Sequence, residues 1–446
     1  MKRLSHISCL IILAAICFSC GNETKNKIDK DEKEAEESQL PNIVFILSDD
    51  QSWTDYSFMG DDNIETPRLD QFASESLTFT RGYVPTSLCS PSLATIITGM
   101  YPKDHGILGN DVAYERAKDR AVKRKNRSEA YKPMITHFER LTTLPDLLKE
   151  KGYLSFQTGK WWHGNHKVGG FDYGMTHGDP NRGGRHGDYG LEIGRKGMDT
   201  LTSYVDLAIK EKKPFFLWYA PFLPHAPHTP PKRLLDKYLP KAPTEYVAKY
   251  WAMCEWFDET CGELFDIIEE KGLTENTLFV YVCDNGWVQN LNDSKYNEIS
   301  KRSPFDLGMR TPIMYKWAGE IKPKMDTTTV VSSIDMVPTV LDILNIDKPK
   351  NLPGINVLDK KTLQNREEIF GEIYAHDFTT IESSLFYTIV IAPPYKLIVP
   401  DAVRKPNEKI QLFNIDEDPF EKQNIASSNP ELVEKLNQKI EAFRTE

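Results

Sequence analysis

Two pairs of acidic and amide side chains stand directly after apolar runs of this 446-residue sequence. Asp49 and Asp50 follow the first run. Asp284 and Asn285 follow a later one. Either pair alone could be a surface turn, but carboxylates that end a buried strand need a partner. Because carboxylate and amide oxygens are the hard ligands that divalent cations bind, the four donors together predict a metal site, with Ca²⁺ favoured over Mg²⁺.

A cysteine stands at the predicted start of a helix. Cys89 precedes Pro91, a residue typical of the first helical position, with Ser90 as the predicted cap and Gly99 as the stop. A cysteine there faces unpaired backbone N–H groups and the positive end of the helix dipole. That position favours a reactive sulfur, or an oxygen species that replaces it, beside a bound anion. The alternative is a structural cysteine buried at a loop–helix junction.

Lysine and histidine side chains could meet an anionic substrate. Lys160 and His163 follow one apolar run, His225 and His228 lie in a proline-dense loop after another, and Lys301 opens a later loop. Lys and Arg total 55 against 65 Asp and Glu, so the net charge is −10 and no general attraction to nucleic acid is expected. An anion must therefore meet a local cluster of cations. The alternative for each lysine is a solvated surface position, and for His228 a plain loop position.

Short, continuous apolar runs must position these residues. They lie at residues 41–48, 153–158, 214–219 and 277–283. Their length and composition are typical of strands buried on both faces, and helical patterns separate them. From about residue 367 the strands become shorter and a last helix follows, which indicates a small α+β unit. The sequence therefore predicts an α/β catalytic domain over 41–366 and a C-terminal α+β subdomain over 367–446.

The stretch that begins at Cys89 resembles the signature of the type I sulfatases, in the alkaline-phosphatase-like superfamily. It reads Cys-Ser-Pro-Ser-Leu-Ala-Thr-Ile-Ile-Thr-Gly. Residues 159–163 are similar to the Gly-Lys-Trp-His block of that family with Trp162 added, and residues 301–312 are similar to a later block. The likeness extends over about residues 41–443. It implies the family's fold, a mostly parallel central sheet flanked by helices with a smaller C-terminal α+β subdomain.

The resemblance also implies a chemistry. In that family the cysteine is oxidised after translation to formylglycine, whose hydrated aldehyde attacks sulfate esters. The resemblance therefore implies this nucleophile at Cys89, where it is also a ligand of the metal. The resemblance implies that Lys160 and Lys301 contact the sulfate group. It makes His163 the base of the second step and His225 the acid for the leaving oxygen, with Lys301 as the alternate acid. The implied enzyme is a sulfuric ester hydrolase whose substrate is a sulfated carbohydrate and whose partner is a formylglycine-generating or equivalent maturation enzyme.

Leu93 stands where the family motif has an arginine. In the family that arginine helps the maturation enzyme recognise the site and steadies the aldehyde hydrate; Arg185 or Arg310 could replace it. Arg185 belongs to a glycine-rich segment, 169–194, that is predicted to face the substrate together with His228, unless the segment is a flexible insertion.

Two other functions stay open: an inactive glycan-binding homologue, which Leu93 motivates, and a phosphoester hydrolase of the same superfamily.

The first forty residues predict export. A basic start and a short apolar run precede Cys20, which is typical of a lipoprotein signal, and the run is too short to span a bilayer. We expect residues 1–20 to be the signal peptide, with Cys20 lipidated, and the charged residues 21–40 to be a disordered tether. The alternative is an ordinary signal peptide. The predicted location is the periplasm or the cell surface, with the membrane reached only through the N-terminal lipid.

Overall fold

The strands begin and end close to the predicted apolar runs. The computed structural model describes residues 40–116, 118–179 and 186–445. The predicted signal peptide with Cys20, nearly all of the tether, and Arg185 therefore lie outside the described residues. The strands are β1 Asn42–Ser48, β2 Leu77–Tyr83, β3 Asp111–Val112, β4 Leu154–Gly159, β5 Tyr173–Gly174, β6 Phe215–Ala220, β7 Thr277–Cys283, β8 Arg310–Lys316, β9 Lys324–Ser332, β10 Ile369–Tyr374, β11 Asp377–Phe378, β12 Leu385–Ala392, β13 Tyr395–Pro400 and β14 Gln411–Asn414.

Helices alternate with the strands. They are α1 Pro67–Ser74, α2 Cys89–Thr98, α3 Pro102–His105, α4 Arg120–Phe138, α5 Leu144–Lys149, α6 Asp199–Glu211, α7 Lys232–Tyr238, α8 Glu245–Glu270, α9 Asp306–Met309, α10 Met336–Ile343, α11 Lys360–Gln364, α12 Ile381–Ser384 and α13 Pro430–Thr445. No helix in the described ranges is both long and apolar enough to cross a membrane.

Eight strands form the large sheet, in the order β5-β4-β6-β1-β7-β8-β2-β9. β1 lies parallel to both β6 and β7, β4 lies parallel to β6, and β8 runs antiparallel to β7 and β2. Every residue of β1 and β7 is buried, as expected for central strands that helices cover on both faces. The predicted α/β fold with a mostly parallel central sheet is confirmed.

The core beside this sheet is built by α8. Phe257, Leu264 and Ile268 of α8 are buried in one cluster with Val44 of β1 and Tyr281 of β7. Removing each such side chain from water contributes about 1.5–3 kcal/mol. The packing fixes β1 and β7 side by side, and these are the two strands that carry the predicted metal ligands.

A smaller antiparallel sheet follows, in the order β10-β12-β13-β14. Ile389 and Ile391 of β12 pack with Tyr83 on one face, whereas Val390 packs with Leu436 of α13 on the other. This alternation follows from the two-residue period of a strand. The predicted C-terminal α+β subdomain is therefore present. Its predicted boundary at residue 366 falls between α11 and β10, and the boundary stays a prediction.

Candidate active site

The predicted metal ligands lie at the carboxyl ends of two neighbouring strands. Ser48 of β1 is directly beside Cys283 of β7 in the parallel register. The residues that follow each strand therefore meet, and the Asp50 backbone N–H donates a hydrogen bond to Asp284 Oδ1 at 3.2 Å. Asp50 has a φ of 68°, in the left-handed region that non-glycine residues rarely adopt. This turn brings the Asp49 and Asp50 carboxylates to the same edge of the sheet.

Three oxygen atoms at this edge are buried without a hydrogen-bond partner among the described residues. They are Asp49 Oδ2, Asp50 Oδ2 and Asn285 Oδ1. The Asn285 Nδ2 group donates to Asp50 Oδ1 at 2.7 Å, which leaves its amide oxygen as an acceptor. Burying such oxygens without a partner is costly. The donor set therefore fits a divalent cation. Both Asp284 oxygens, in contrast, already accept hydrogen bonds.

Two buried lysines neutralise most of the acidic charge. Lys160, directly after β4, places Nζ 2.6 Å from Asp49 Oδ1 and 3.0 Å from Asp284 Oδ2. Lys301 places Nζ 2.5 Å from Asp50 Oδ1. Burial alone would lower the pKa of Lys160, but the Asp284 and Asp49 carboxylates hold it well above its usual range. When all are ionised, three carboxylates and two ammonium groups leave a formal charge of −1, which a divalent cation would turn to +1.

Cys89 is the first residue of α2, and its Sγ lies 3.0 Å from Lys301 Nζ. The cap differs from the prediction: Leu88 is the N-cap, and the Ser90 N–H donates to Asn110 Oδ1 at 2.8 Å. Burial raises the pKa of the Cys89 thiol to about 11, and this outweighs the nearby lysines. The sulfur is therefore a neutral thiol near pH 7 and a weak nucleophile.

Two histidines lie near this cluster in different ways. His225 places Nε2 3.5 Å from Asp50 Oδ2, its Nδ1 donates to the Ala226 carbonyl, and its ring stacks on Phe222. Ligand atoms of Asp49, Asp50, Cys89 and His225 lie within 4.8 Å of one another. His228 instead packs against the Tyr250 and Trp287 rings. Burial lowers its pKa to about 4, and its Nε2 has no hydrogen-bond partner in the described ranges.

A cavity of about 240 Å³ opens beside the cluster. It is smaller than the roughly 300–1,000 Å³ of pockets that bury drug-sized ligands. Lys301 and His225 reach it, and so do residues that the sequence did not single out. Its lining consists of Leu88, Asn110, Trp162, His186, His225, Tyr296, Lys301, Arg302 and His376.

Comparison with known proteins decides the family. The Sulfatase family profile matches residues 41–346, and the profile described as N-sulphoglucosamine sulphohydrolase, C-terminal, matches residues 295–446. The chain belongs to the sulfatase family. The predicted membership is confirmed, as is the predicted enzyme class, a sulfuric ester hydrolase. The group of residues that contains Cys89 and could hold a metal ion lies among the residues predicted to form the active site of this sulfatase.

Relatives of the sulfatase include enzymes of Formosa agariphila and Bacteroides thetaiotaomicron. An ulvan-active sulfatase of Formosa agariphila is 26% identical over 380 residues, covering 77% of this chain and 68% of the relative. An N-acetylgalactosamine-6-O-sulfatase of Bacteroides thetaiotaomicron is 23% identical, with full coverage of both chains. The solved PsFucS1 sulfatase from Pseudoalteromonas sp. is 19% identical, with a TM-score of 0.69 over 95% of this chain and 94% of that one. The last likeness shows the fold.

The sulfatase buries His163 among aromatic rings. The His163 ring stacks on Phe138 with 3.9 Å between ring centroids, and neither ring nitrogen has a hydrogen-bond partner in the described part of the chain. Burial lowers its pKa to about 3. Trp162, the residue before it, lines the cavity, whereas the His163 ring packs against Phe138 and Trp161. The predicted role of His163 as the base of the second step stays a prediction.

The motif arginine has no replacement in Arg310. The Arg310 guanidinium lies 4.1 Å above the Trp53 ring, and its Nε donates to the Thr80 carbonyl at 2.9 Å. Leu93 is buried inside α2. Arg185 lies outside the described residues, so its predicted contact with substrate stays a prediction.

The other missed residues differ in how they could be found. Tyr296 and Arg302 flank Lys301 in sequence, so a closer look at that loop could have found them. His376 lies 75 positions after Lys301 and carries no motif. Only the tertiary fold brings it to the cavity.

Proposed function

We propose that the protein hydrolyses sulfate monoesters of a sulfated carbohydrate, with a formylglycine made from Cys89 and a bound Ca²⁺. The observation that carries this proposal is the meeting of Cys89, two ammonium groups and three unpartnered oxygens at one sheet edge. Two relatives support the substrate class, because one is named an ulvan-active sulfatase and the other an N-acetylgalactosamine-6-O-sulfatase.

Ca²⁺ suits the donors better than Mg²⁺. Asp49, Asp50 and Asn285 offer protein oxygens at one point, and Asp284 adds a further carboxylate beside them. Ca²⁺ accepts six to eight oxygen ligands in flexible geometry, whereas Mg²⁺ usually keeps several waters. When bound, the cation would supply positive charge that favours a deprotonated oxygen nucleophile and a bound sulfate.

The protein's own side chains then bind the ester and move protons. The ammonium groups of Lys160 and Lys301 are placed to hold sulfate oxygens, which offsets the charge that repels a nucleophile. When its ring is doubly protonated, His225 can give the Nε2 proton to the leaving sugar oxygen, while Nδ1 keeps its hydrogen bond to the Ala226 carbonyl. Because a ring nitrogen of His225 also lies within 4.8 Å of Cys89 Sγ, the neutral ring of this residue is placed to take a proton at position 89.

Cys89 itself argues for a modified residue. A neutral buried thiol is a poor nucleophile, and a single hydroxyl in its place could not release sulfate by re-forming an aldehyde. The hydrate of formylglycine supplies the second hydroxyl. A formylglycine-generating or equivalent enzyme must therefore act on this chain before it works, although Leu93 replaces the motif arginine.

Leu93 favours one alternative function, a glycan-binding protein that has lost catalysis. Without the arginine, maturation of Cys89 could fail while Lys160 and Lys301 still bind a sulfated sugar. The same protein would then retain the thiol and bind its ligand without turnover.

The test combines maturation and turnover. The chain is expressed with a formylglycine-generating enzyme, the peptide containing Cys89 is analysed by mass spectrometry, and panels of sulfate and phosphate esters are assayed in parallel. We expect formylglycine in the peptide, release of sulfate from sulfated sugars, and no release by a Cys89→Ala variant. An unmodified thiol with sugar binding but no turnover would support the binding protein, and faster phosphate release would support the phosphoesterase.

The N-terminal sequence supports an exported, lipid-anchored protein. We propose that the protein is held in the periplasm or at the cell surface through a lipid on Cys20. A sulfatase placed there would meet polysaccharide fragments outside the cytoplasm. Its only link to a membrane would be the lipid.

A further inference from the structure

A short two-stranded sheet closes one side of the cavity. β3 and β11 pair in parallel, with Asp111 beside Asp377. The Asp111 N–H also donates to the His376 carbonyl at 3.0 Å. The pairing joins segments that are more than 250 residues apart and places His376 on the cavity wall that Lys301 shares.

The His376 ring is held in one orientation. Its Nδ1 donates a hydrogen bond to Asp377 Oδ1 at 2.6 Å, and the Asp377 carboxylate in turn pairs with the Arg116 guanidinium. Burial lowers the pKa of His376, which favours the neutral ring. Because Nδ1 carries the proton, Nε2 is left as a hydrogen-bond acceptor.

The group is less suited to a cation than the cluster at Asp49 and Asp50. Asp111, His376 and Asp377 offer ligand atoms within 4.8 Å of one another, a spacing that a cation could bridge. However, the Asp111 carboxylate accepts from the Tyr131 hydroxyl, and Asp377 already has two donors. These donors occupy Asp111 Oδ1 and both Asp377 oxygens, so we expect the group to meet a ligand through the imidazole.

The cavity connects this imidazole to the proposed sulfate site. Lys301 contacts Cys89 and lines the cavity together with His376, so the sugar of a sulfate ester held by Lys301 lies within the cavity that the imidazole lines. Asn110 strengthens the connection, because it precedes β3 and accepts the Ser90 N–H at the start of α2. The geometry points to His376 as a specificity-determining residue that accepts a hydrogen bond from a hydroxyl of the sulfated sugar ring, with Asp377 as its positioning residue.

This inference rests on the proposed function, so its test measures binding as well as turnover. The probes are sulfated monosaccharides, among them N-acetylgalactosamine 6-sulfate, and 4-nitrophenyl sulfate, which has no sugar hydroxyl. The variants are His376→Ala, His376→Gln, which keeps a hydrogen-bonding group near Nε2, and Asp377→Asn. Glu382→Gln is the matched control, since Glu382 is exposed on the nearby α12.

For His376→Ala we expect the ratio of kcat/KM on the best sugar to that on the aryl sulfate to fall about tenfold, the size of one hydrogen bond, mainly through KM. His376→Gln should restore part of the loss, and Asp377→Asn should lose less than His376→Ala. Sugars that lack the recognised hydroxyl should erase the difference between wild type and His376→Ala.

The outcomes separate the two proposals. If wild type turns over the sugar and the ratio stays unchanged in His376→Ala, the role of His376 is wrong. If wild type binds the sugar without turnover and calorimetry still shows about tenfold weaker binding by His376→Ala, the role holds and hydrolysis is wrong. Equal affinity of both proteins for the sugar would also overturn the role of His376.

Discussion

At the scale of single residues, we expect Lys160 to affect both the free energy of unfolding and the rate of sulfate release. Its ammonium group is fully buried between the Asp49 and Asp284 carboxylates. Removing one partner of a buried ion pair leaves charge without compensation, which costs about 3–5 kcal/mol. For Lys160→Met we therefore expect the free energy of unfolding, measured by urea denaturation, to fall by that amount, and sulfate release to slow at least about 100-fold.

Lys167→Met is the matched control for that variant. Lys167 is exposed in the short helical turn that follows. Its replacement should change the free energy of unfolding by less than about 0.5 kcal/mol. The account of Lys160 would be contradicted if Lys160→Met and Lys167→Met unfolded at the same urea concentration and released sulfate equally fast.

The positions of some active-site residues could be predicted from the sequence for a physical reason, and that reason does not apply to the others. Cys89 stands at the start of a helix, and Lys160 and the paired carboxylates follow strand ends. The topology of a parallel sheet brings such positions together. His163 also follows a strand end, but the sequence could not show that its ring stacks on Phe138. His376 could not be predicted, because its place depends on the pairing of β3 with β11.

At the scale of elements, a buried ion cluster ties the small sheet to the large one. Lys396 of β13 places Nζ 2.7 Å from Asp306 Oδ1 and 2.7 Å from Glu421 Oε1, and Tyr83 of β2 donates to Asp306 Oδ2 at 2.9 Å. Asp306 begins α9, five residues after Lys301. The cluster therefore fixes the segment that delivers Lys301 to the active site.

Replacing Lys396 should loosen this junction. Lys396→Met leaves Asp306 and Glu421 buried without their shared cation, so we expect about 3–5 kcal/mol lower free energy of unfolding in urea. Lys405→Met removes a partly exposed ion pair with Glu408 in the same region and should cost less than about 1 kcal/mol. Equal losses in the two variants would show that the buried cluster does not hold the two sheets together.

At the scale of the whole molecule, the predicted cation would join distant parts of the chain. Asp49 and Asp50 follow β1 and Asn285 follows β7, and these central strands are more than 230 residues apart in sequence. A ligand that binds the folded chain stabilises it by about 2.7 kcal/mol at 100 times its Kd. Metal bound between the strands must therefore raise the thermal stability of the entire fold, whatever its effect on turnover.

Thermal unfolding can measure this link without an assay of activity. We expect a chelator to lower the Tm of the wild type, Ca²⁺ to restore it, and Mg²⁺ to restore it only at higher concentration. Asn285→Ala removes one of the unpartnered oxygens but no ion-pair partner, so it should need at least about tenfold more Ca²⁺ for the same gain. Asn292→Ala, at an exposed position in the following loop, should behave as the wild type does. If Ca²⁺ left the Tm of the stripped wild type unchanged, or raised that of Asn285→Ala equally, the oxygens at the two strand ends would not be a cation site.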